Sequence, residues 1–245
     1  MSGMAAFEDD FQAWRKSRAE LLLDDFGELC RYREANAALK PVGHGENRVV
    51  FFGDSITEGW NLEEHFPGKP YINRGICAQT TPQMLIRFRP DVIALGARVA
   101  VILAGTNDIG GNTGPMRLEE IAANLASMAD IAEAHGIRAV FCSLLPPAHE
   151  ETPPSRFNLL KHPLDTVLAL NAWLEGYCAA GGLEFIDYFS AMSGPSGLVR
   201  PELSEDGLHP TALGYQIMAP LAEAAIVRAL TRELPGRVPA PNPGS

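Results

Sequence analysis

The sequence contains no apolar run that approaches the roughly eighteen residues of a membrane-spanning helix, so an integral membrane protein is not expected. It also lacks any cluster of lysine and arginine, and its formal net charge is −10 at pH 7. Without a basic patch, neither nucleic acid nor an anionic membrane surface is a favoured partner. We therefore expect a small or neutral partner, and the sequence leaves self-association as a homo-oligomer open.

Cysteine is scarce, and the spacing of a zinc site is missing. The four cysteines lie far apart, with no CxxC and no cysteine–histidine spacing typical of zinc. We predict that Cys30, Cys77, Cys142 and Cys178 are free thiols that mostly fill the core.

A secretory signal is also lacking at the beginning of the chain. The first residues do not follow the order of basic, then apolar, then small residues that such a signal requires. This predicts a cytoplasmic protein, or a periplasmic or secreted one whose signal has been removed.

The chain has the size and composition of one globular domain. Its 245 residues, 46% of them hydrophobic and 20% charged, can bury a substantial core. No repeat or change of periodicity marks a boundary, so we predict a single domain over 1–245. Residues 1–40 are expected to pack on it as one amphipathic helix or as two that break near Gly27. The Pro/Gly-rich residues 234–245 are expected to be a frayed tail.

Five short apolar runs alternate with helical patterns along the chain. The runs are rich in Val, Ile or Phe without strict alternation, which is typical of strands buried on both faces. They cover 49–52, 71–73, 99–104, 139–144 and 183–186, and helical patterns are clearest at 117–135, 164–179 and 211–230. This order predicts an α/β fold with a parallel sheet and helices on both sides. Ligands of such sheets bind beyond the carboxyl ends of the strands.

The stretch FFGDSITEGW places a serine directly after the first predicted strand. A turn there can lift the Ser55 hydroxyl to the edge of the sheet, where backbone N–H groups can face a developing negative charge. It is not the GxSxG nucleophile elbow. Taken alone, a helix cap at Ser55 or Thr57 explains this serine better, so a catalytic role requires a base elsewhere in the chain.

Only one of the six histidines has an acid at a sequence spacing that suggests an acid–base pair. The segment DGLHP places Asp206 three residues before His209, where a carboxylate can reach the imidazole and orient it as a base. Two other predicted strand ends offer donors for an oxyanion. These are the side-chain amide of Asn107 in AGTNDIGG and the N–H of Gly75, which has no side chain to cover it.

Together, these segments resemble the SGNH, or GDSL, hydrolase family. That family is named for Ser, Gly, Asn and His in separate blocks, here GDSIT, NRG, GTND and DGLHP, in that order within residues 50–215. GTND followed by DGLHPTALGY is similar to the branch of platelet-activating factor acetylhydrolase-like enzymes and bacterial short-chain esterases. This chain has Cys77 and Ala78 where related sequences tend to carry glycines.

The resemblance implies a fold, a mechanism and a role for each residue. The fold would be a flavodoxin-like three-layer α/β/α sandwich with a five-stranded parallel sheet, and no metal or organic cofactor would be needed. Ser55 would be the nucleophile, His209 the base and Asp206 the group that orients it. The backbone N–H groups of Ser55 and Gly75 and the side chain of Asn107 would form the oxyanion hole.

The expected reaction is hydrolysis of a short-chain carboxylic ester. The family branch favours acetyl esters of a carbohydrate or small alcohol as substrates. Asp54, Trp60, Thr106 and Leu208 adjoin or lie near the catalytic blocks and are candidate substrate-binding residues. The loop around Trp60 and the Pro-rich stretch 144–163 are expected to fold over the site.

Other functions fit parts of the same pattern. A lysophospholipase, thioesterase or acyltransferase would use the same site. A metal-dependent phosphoesterase could use Asp54, Asn107, Asp108, Asp206 and His209 as ligands, but no D-x-H or second histidine completes a two-metal site. A binding protein on a hydrolase fold is less well supported because the catalytic set is complete.

Overall fold

The structure is a computed structural model that describes residues 2–148 and 163–232. The expected tail at 234–245 and most of the stretch 144–163 lie outside the described residues. No helix in the described part of the chain is long and apolar enough to cross a membrane.

Five parallel strands form the sheet. They are β1 (Val49–Gly53), β2 (Tyr71–Gly75), β3 (Val99–Leu103), β4 (Arg138–Cys142) and β5 (Glu184–Ile186). Their spatial order is β2-β1-β3-β4-β5. Gly53 lies opposite both Gly75 and Leu103, so the carboxyl ends of three neighbouring strands are level. The predicted five-stranded parallel sheet is confirmed.

Helices connect the strands and cover the sheet. Within the described residues they are α1 (Ser2–Asp24), α2 (Arg33–Ala38), α3 (Ser55–Glu58), α4 (Leu62–His65), α5 (Thr81–Phe88), α6 (Thr106–Ile109), α7 (Leu118–Ala134), α8 (Leu164–Gly181), α9 (Tyr188–Met192) and α10 (Ala212–Thr231). A π-helical turn at Arg89–Ile93 extends α5, and a 3₁₀ turn at Pro201–Leu203 precedes the loop that leads to α10. The N-terminal region forms two helices, and the break between them includes Gly27.

Both faces of the sheet are buried, which explains why the strand sequences do not alternate between apolar and polar residues. In β1, Val49 and Phe51 pack in a cluster with residues of α4, α9 and α10. Val50 and Phe52 point to the opposite face and pack in a cluster with residues of α5, α7 and α8. The result is the three-layer α/β/α sandwich that the resemblance implied.

Two short helices begin where central strands end. Helix α3 starts two residues after β1, and α6 starts three residues after β3. In a parallel sheet these carboxyl ends share one edge, so the polar residues that open both helices lie close together.

Candidate active site

Ser55 is the first residue of α3 and lies half-buried at the edge of the sheet. The preceding glycine permits this turn because a Cβ on Gly53 would lie 2.7 Å from the Leu103 carbonyl oxygen. Asp54 caps the helix, since its Oδ1 accepts the Ile56 N–H at 2.9 Å. Helix capping was the alternative explanation for Ser55, but Asp54 provides the cap. The Ser55 hydroxyl is therefore left to face the site.

The Ser55 hydroxyl is hydrogen-bonded to His209, which lies in the loop before α10. His209 Nε2 lies 2.8 Å from Ser55 Oγ, and His209 Nδ1 lies 2.7 Å from Asp206 Oδ2. The Tyr215 hydroxyl donates to the Ile56 carbonyl at 2.8 Å and so fixes α10 against α3. Residues from the two ends of the family pattern thus form one continuous chain of hydrogen bonds.

The Asp206 carboxylate determines which nitrogen of His209 carries the proton. Partial burial raises the pKa of Asp206, but hydrogen bonds from the His209 ring and from the backbone N–H groups of His209 and Leu208 outweigh it and lower the pKa to about 2. An ionised carboxylate can only accept hydrogen bonds, so Nδ1 must carry the proton. Nε2 is then left as the acceptor that faces the Ser55 hydroxyl, as a general base requires.

Asn107 lies in α6, is 4% exposed, and has a fixed orientation. Its Oδ1 accepts from Asn112 Nδ2 at 2.9 Å. Its Nδ2 donates to Asp54 Oδ2 at 3.2 Å and to the Gln79 carbonyl at 3.1 Å. These three partners point the Asn107 amide donor toward the loops that carry Ser55 and Gln79.

The prediction for Gly75 is wrong in this structure. Its N–H donates to Asn73 Oδ1 at 2.8 Å, and its carbonyl accepts from the Tyr32 hydroxyl. A Cβ on Gly75 would lie 2.1 Å from the Glu58 backbone nitrogen. The glycine is therefore needed for the close packing of β2 against α3, and its N–H does not face the site.

The neighbouring turn offers another N–H. Ala78 has φ +64°, a left-handed conformation that is unfavourable for a residue with a side chain. Among the hydrogen bonds found within the described residues, none has the Ala78 N–H as donor, while its carbonyl accepts from Asn112 Nδ2 at 3.1 Å. Ala78 is one of the two positions where related sequences tend to carry glycine, which adopts this conformation without strain.

Sequence reasoning missed two residues beneath the site, Gln79 and Arg87. The fully buried guanidinium of Arg87 donates to the Gln79 side-chain oxygen, to the Gly53 carbonyl at 2.8 Å and to the Arg74 carbonyl at 2.8 Å. It ties the ends of β1 and β2 to the turn that contains Ala78. Only the position of Gln79, in the loop after the second predicted strand, could have suggested a role.

A sequence model of the GDSL-like lipase/acylhydrolase family matches residues 51–217, which include every residue of the hydrogen-bonded set from Ser55 to His209. The chain belongs to this family. As a GDSL-like acylhydrolase, the protein is a hydrolase that acts on esters.

Solved structures of the same kind cover most of the chain. A GDSL-like lipase from Bacteroides thetaiotaomicron VPI-5482 is 40% identical, with a TM-score of 0.77 over 84% of this chain and 100% of its own. The lipase/acylhydrolase from Enterococcus faecalis is 24% identical, with a TM-score of 0.61 over 74% of this chain and 96% of its own. Axe2, an acetylxylan esterase from Geobacillus stearothermophilus, is 21% identical, with a TM-score of 0.59 over 80% of this chain and 98% of its own. The last two show a shared fold.

A curated relative is similar over a shorter region. The uncharacterized lipoprotein YqeF of Bacillus subtilis (strain 168) is 28% identical over an alignment of 123 residues, which covers 42% of this chain and 51% of that protein. This chain therefore spans about half the length of that relative.

The four candidate substrate-binding residues fall into three groups. Thr106 and Leu208 line a small cavity together with Ile56, the residue that follows Ser55. Asp54 is 1% exposed and acts within the protein, on Ile56 and Asn107. Trp60 is 3% exposed and packs in the core, so the prediction that it contacts substrate is wrong.

The location of Trp60 has a simple packing explanation. Its ring lies edge-on to Phe51 of β1, with centroids 5.4 Å apart, and 5.3 Å from the Tyr215 ring of α10. Leu62, in the loop that was expected to cover the site, is also buried in this cluster. The loop around Trp60 therefore fills the space between the sheet and α10 and does not cover the Ser55 hydroxyl.

The acids proposed as metal ligands in the phosphoesterase alternative already have partners. Asp108 accepts from the Thr81 N–H at 3.0 Å and from the Thr81 hydroxyl at 2.6 Å, and so holds the start of α5. Burial raises the pKa of Asp54 to about 6 and that of Asp108 to about 6. No group of three or more His, Cys, Asp or Glu residues within 2–148 and 163–232 could hold a metal ion. Cys142 and Cys178 are buried free thiols, as predicted, whereas Cys77 is half-buried and Cys30 is exposed.

Proposed function

We propose that this GDSL-like acylhydrolase is a serine esterase that cleaves short-chain carboxylic esters through an acyl-enzyme, and that acetyl esters of a carbohydrate or small alcohol are its substrates. The observation that carries the proposal is the hydrogen-bonded chain Ser55–His209–Asp206, with heavy-atom distances of 2.8 and 2.7 Å. Distances in this range allow a proton to pass from a nucleophile to its base.

In the first half of the proposed reaction, Ser55 Oγ attacks the ester carbonyl carbon while its proton moves to His209 Nε2. Asp206 stabilises the imidazolium that forms. When the tetrahedral intermediate collapses, the bond to the alcohol oxygen breaks and Nε2 gives its proton to that oxygen. Ser55 is left as an ester of the acyl group.

The second half repeats these steps with water. His209 Nε2 takes a proton from a water molecule, whose oxygen attacks the acyl carbon. Collapse of the new intermediate releases the carboxylic acid, and Ser55 Oγ recovers its proton from Nε2.

Three donors would stabilise the oxyanion in both halves. They are the Ser55 N–H, the Asn107 side-chain amide and, in place of Gly75, the Ala78 N–H. Asn107 donates to Asp54 over 3.2 Å, the longer of its two donated bonds. We propose that the oxyanion shares or replaces this longer bond, since a donor of this kind contributes most when charge develops in the transition state.

The small cavity beside the triad supports a short acyl group. Ile56 follows the nucleophile directly, and Leu208 precedes the base directly. The remaining lining comes from Thr106, Val167, Gly207 and residues 144–147. These side chains are largely apolar and enclose little space, which suits a methyl or ethyl group better than a long acyl chain.

Two relatives support the proposed substrate and indicate a location for the protein. Axe2 is an acetylxylan esterase with the same fold, which is consistent with an acetyl ester of a carbohydrate as substrate. YqeF is named a lipoprotein, which supports a location outside the cytoplasm.

The acyl preference can be measured with p-nitrophenyl esters from acetyl to palmitoyl. These esters share one leaving group, so differences in kcat/KM report the fit of the acyl chain. We expect the maximum at acetyl to butyryl and a steep fall beyond it. In the Leu208→Ala variant, whose cavity is larger, the maximum should move toward longer chains. A maximum at long chains in the unaltered protein would overturn the short-chain assignment.

A further inference from the structure

A groove separate from the small acyl cavity lies between α1 and the loop that follows α6. One wall comes from the C-terminal half of α1 and from Phe26, and the other comes from residues 110–113. Its lining residues on the helix side are Trp14, Arg18, Ala19, Leu22, Leu23 and Phe26. The family pattern begins at residue 51, so this helical wall precedes the part of the chain that the family model covers.

The groove adjoins residues that support the proposed oxyanion hole. Asn112 lines it, and the same Asn112 amide donates to Asn107 Oδ1 at 2.9 Å and to the Ala78 carbonyl at 3.1 Å. The next lining residue, Thr113, is hydrogen-bonded through its hydroxyl to Thr80 at 3.1 Å. A molecule in the groove would therefore contact Asn112, which is hydrogen-bonded to two of the residues of the proposed oxyanion hole.

Hydrogen bonds hold the segment after α1 against the turn that carries Ala78. Gln79 Nε2 donates to the Gly27 carbonyl at 3.2 Å and to Glu28 Oε1 at 3.0 Å. Gln83 Nε2 donates to the Phe26 carbonyl at 2.8 Å. The backbone of Phe26 is thus fixed relative to the site by buried side chains.

The chemistry of the lining selects the kind of ligand. Leu23 is 85% exposed and Phe26 is 42% exposed, so the rim presents apolar surface to solvent. The one charged lining side chain, Arg18, is paired with Glu28 at 2.8 Å. Asn112 and Thr113 provide polar atoms on the opposite wall. A neutral group with an apolar face fits these walls, whereas a charged group would find no unpaired opposite charge among the lining residues described.

We propose that this groove binds the alcohol portion of the ester, and that the preferred substrates carry a neutral alcohol with an apolar face. The inference rests on the proposed esterase function. The carbonyl oxygen would occupy the oxyanion hole and a short acyl group would fill the small cavity beside Leu208. The alcohol is then the remaining part of the substrate, and the groove, with a volume of about 370 Å³, is large enough for a ring. His209 needs to reach only the alcohol oxygen, so the rest of the alcohol can extend past Asn112.

Two acetate esters separate this inference from the esterase proposal. Ethyl acetate and 2-cyclohexylethyl acetate share the acetyl group and have primary alcohols of similar reactivity, so they differ mainly in the group offered to the groove. We expect kcat/KM to be at least tenfold higher for the cyclohexylethyl ester. Failure to hydrolyse either ester would contradict the esterase proposal, whereas equal rates on both would overturn the groove assignment alone.

Variants of the groove wall provide a second test of the groove assignment. Leu22→Ala and Phe26→Ala should each lower kcat/KM for the cyclohexylethyl ester by about fivefold to tenfold and leave the ethyl acetate rate within about twofold. Leu21→Ala is the matched control, since Leu21 lies on the same helix, is 46% exposed and does not line the groove. It should change neither rate.

A variant that fills the groove distinguishes loss of binding in the groove from misfolding. Ala19→Trp places a large side chain in the groove, and it should raise KM for the cyclohexylethyl ester while ethyl acetate hydrolysis persists. If these variants instead lowered the rate on ethyl octanoate and spared the cyclohexylethyl ester, the groove would hold the acyl chain and the inference would be wrong.

Discussion

At the scale of single residues, Asn107 shows how the side chain of a proposed oxyanion donor is oriented by its neighbours. It is almost fully buried, and both ends of its amide have partners: Asn112 on the oxygen, Asp54 and Gln79 on the nitrogen. Reversal of the amide would place its oxygen against two acceptors, so the donor is held toward the site.

We predict that Asn107→Ala lowers kcat for p-nitrophenyl acetate by about 10² to 10³-fold, the usual scale for the loss of one oxyanion donor. KM should change much less because the donor acts mainly on the transition state. Asn124→Ala is a suitable control, since that amide donates to the Thr81 hydroxyl at 3.0 Å and not to the proposed oxyanion hole. Unchanged kcat in Asn107→Ala would remove Asn107 from the mechanism.

Some residue assignments followed from the sequence and others could not. The sequence spacing of Asp206 and His209 indicates an acid–base pair, and in the structure Asp206 Oδ2 lies 2.7 Å from His209 Nδ1. Gly75 was chosen because it follows a strand and has no side chain. The sequence does not show that Asn73, two residues earlier, accepts the hydrogen bond from its N–H. Availability of a backbone donor depends on local hydrogen bonds that residue types alone do not determine.

At the scale of elements, one buried arginine joins several strand and loop ends. Arg87 lies on α5 with its guanidinium 4.1 Å from the centre of the Phe52 ring. It donates to carbonyls at the ends of β1 and β2, to Gln79 and, at 3.1 Å, to Asp91. Burial lowers the pKa of Arg87 to about 10, although the Asp91 carboxylate opposes the shift, so the guanidinium remains charged at neutral pH.

We predict that Arg87→Met lowers the free energy of unfolding by about 3 to 5 kcal/mol, because it removes the cation paired with the buried Asp91 carboxylate and a donor to the Gly53 and Arg74 carbonyls. Urea denaturation followed by circular dichroism would measure this. Arg117→Met breaks an exposed arginine pair, with Glu120 at 3.0 Å, and should cost less than about 1 kcal/mol. Equal stability of the two variants would show that Arg87 does not join these elements.

The sequence predicted most elements closely but not this arginine. Apolar runs rich in Val, Ile and Phe indicated all five strands because buried strands need apolar side chains on both faces. Arg87 resembles any surface arginine on an amphipathic helix, since the two backbone carbonyls that bind it lie 13 and 34 residues away in the sequence. The same limit explains Trp60, whose large ring was assigned to the substrate pocket although it fills the core.

At the scale of the whole molecule, two buried acids make stability depend on pH. Burial raises the folded-state pKa of Asp54 and of Asp108 from 3.8 to about 6. The folded protein therefore holds these protons more tightly than the unfolded chain does. Each acid contributes stability that is fully present below pH 3.8 and is lost as the pH rises through about 6.

We predict that Asp54→Asn reduces this dependence. Each pKa unit corresponds to about 1.4 kcal/mol. Between pH 4 and pH 7.5 the unaltered protein should therefore lose about 2 kcal/mol more unfolding free energy than the variant does. Urea denaturation at a series of pH values would give both curves. A difference between the two proteins that does not change with pH would contradict the raised pKa.

The most direct test of the central claim is the kcat/KM of Ser55→Ala with p-nitrophenyl acetate, measured beside the unaltered protein. The mechanism requires Ser55 Oγ to form the acyl-enzyme, so the variant should lose roughly 10⁴-fold or more while it keeps the same fold by circular dichroism. Near-normal esterase activity in Ser55→Ala would contradict the account, because the hydrogen-bonded chain through His209 and Asp206 would then have no nucleophile to activate.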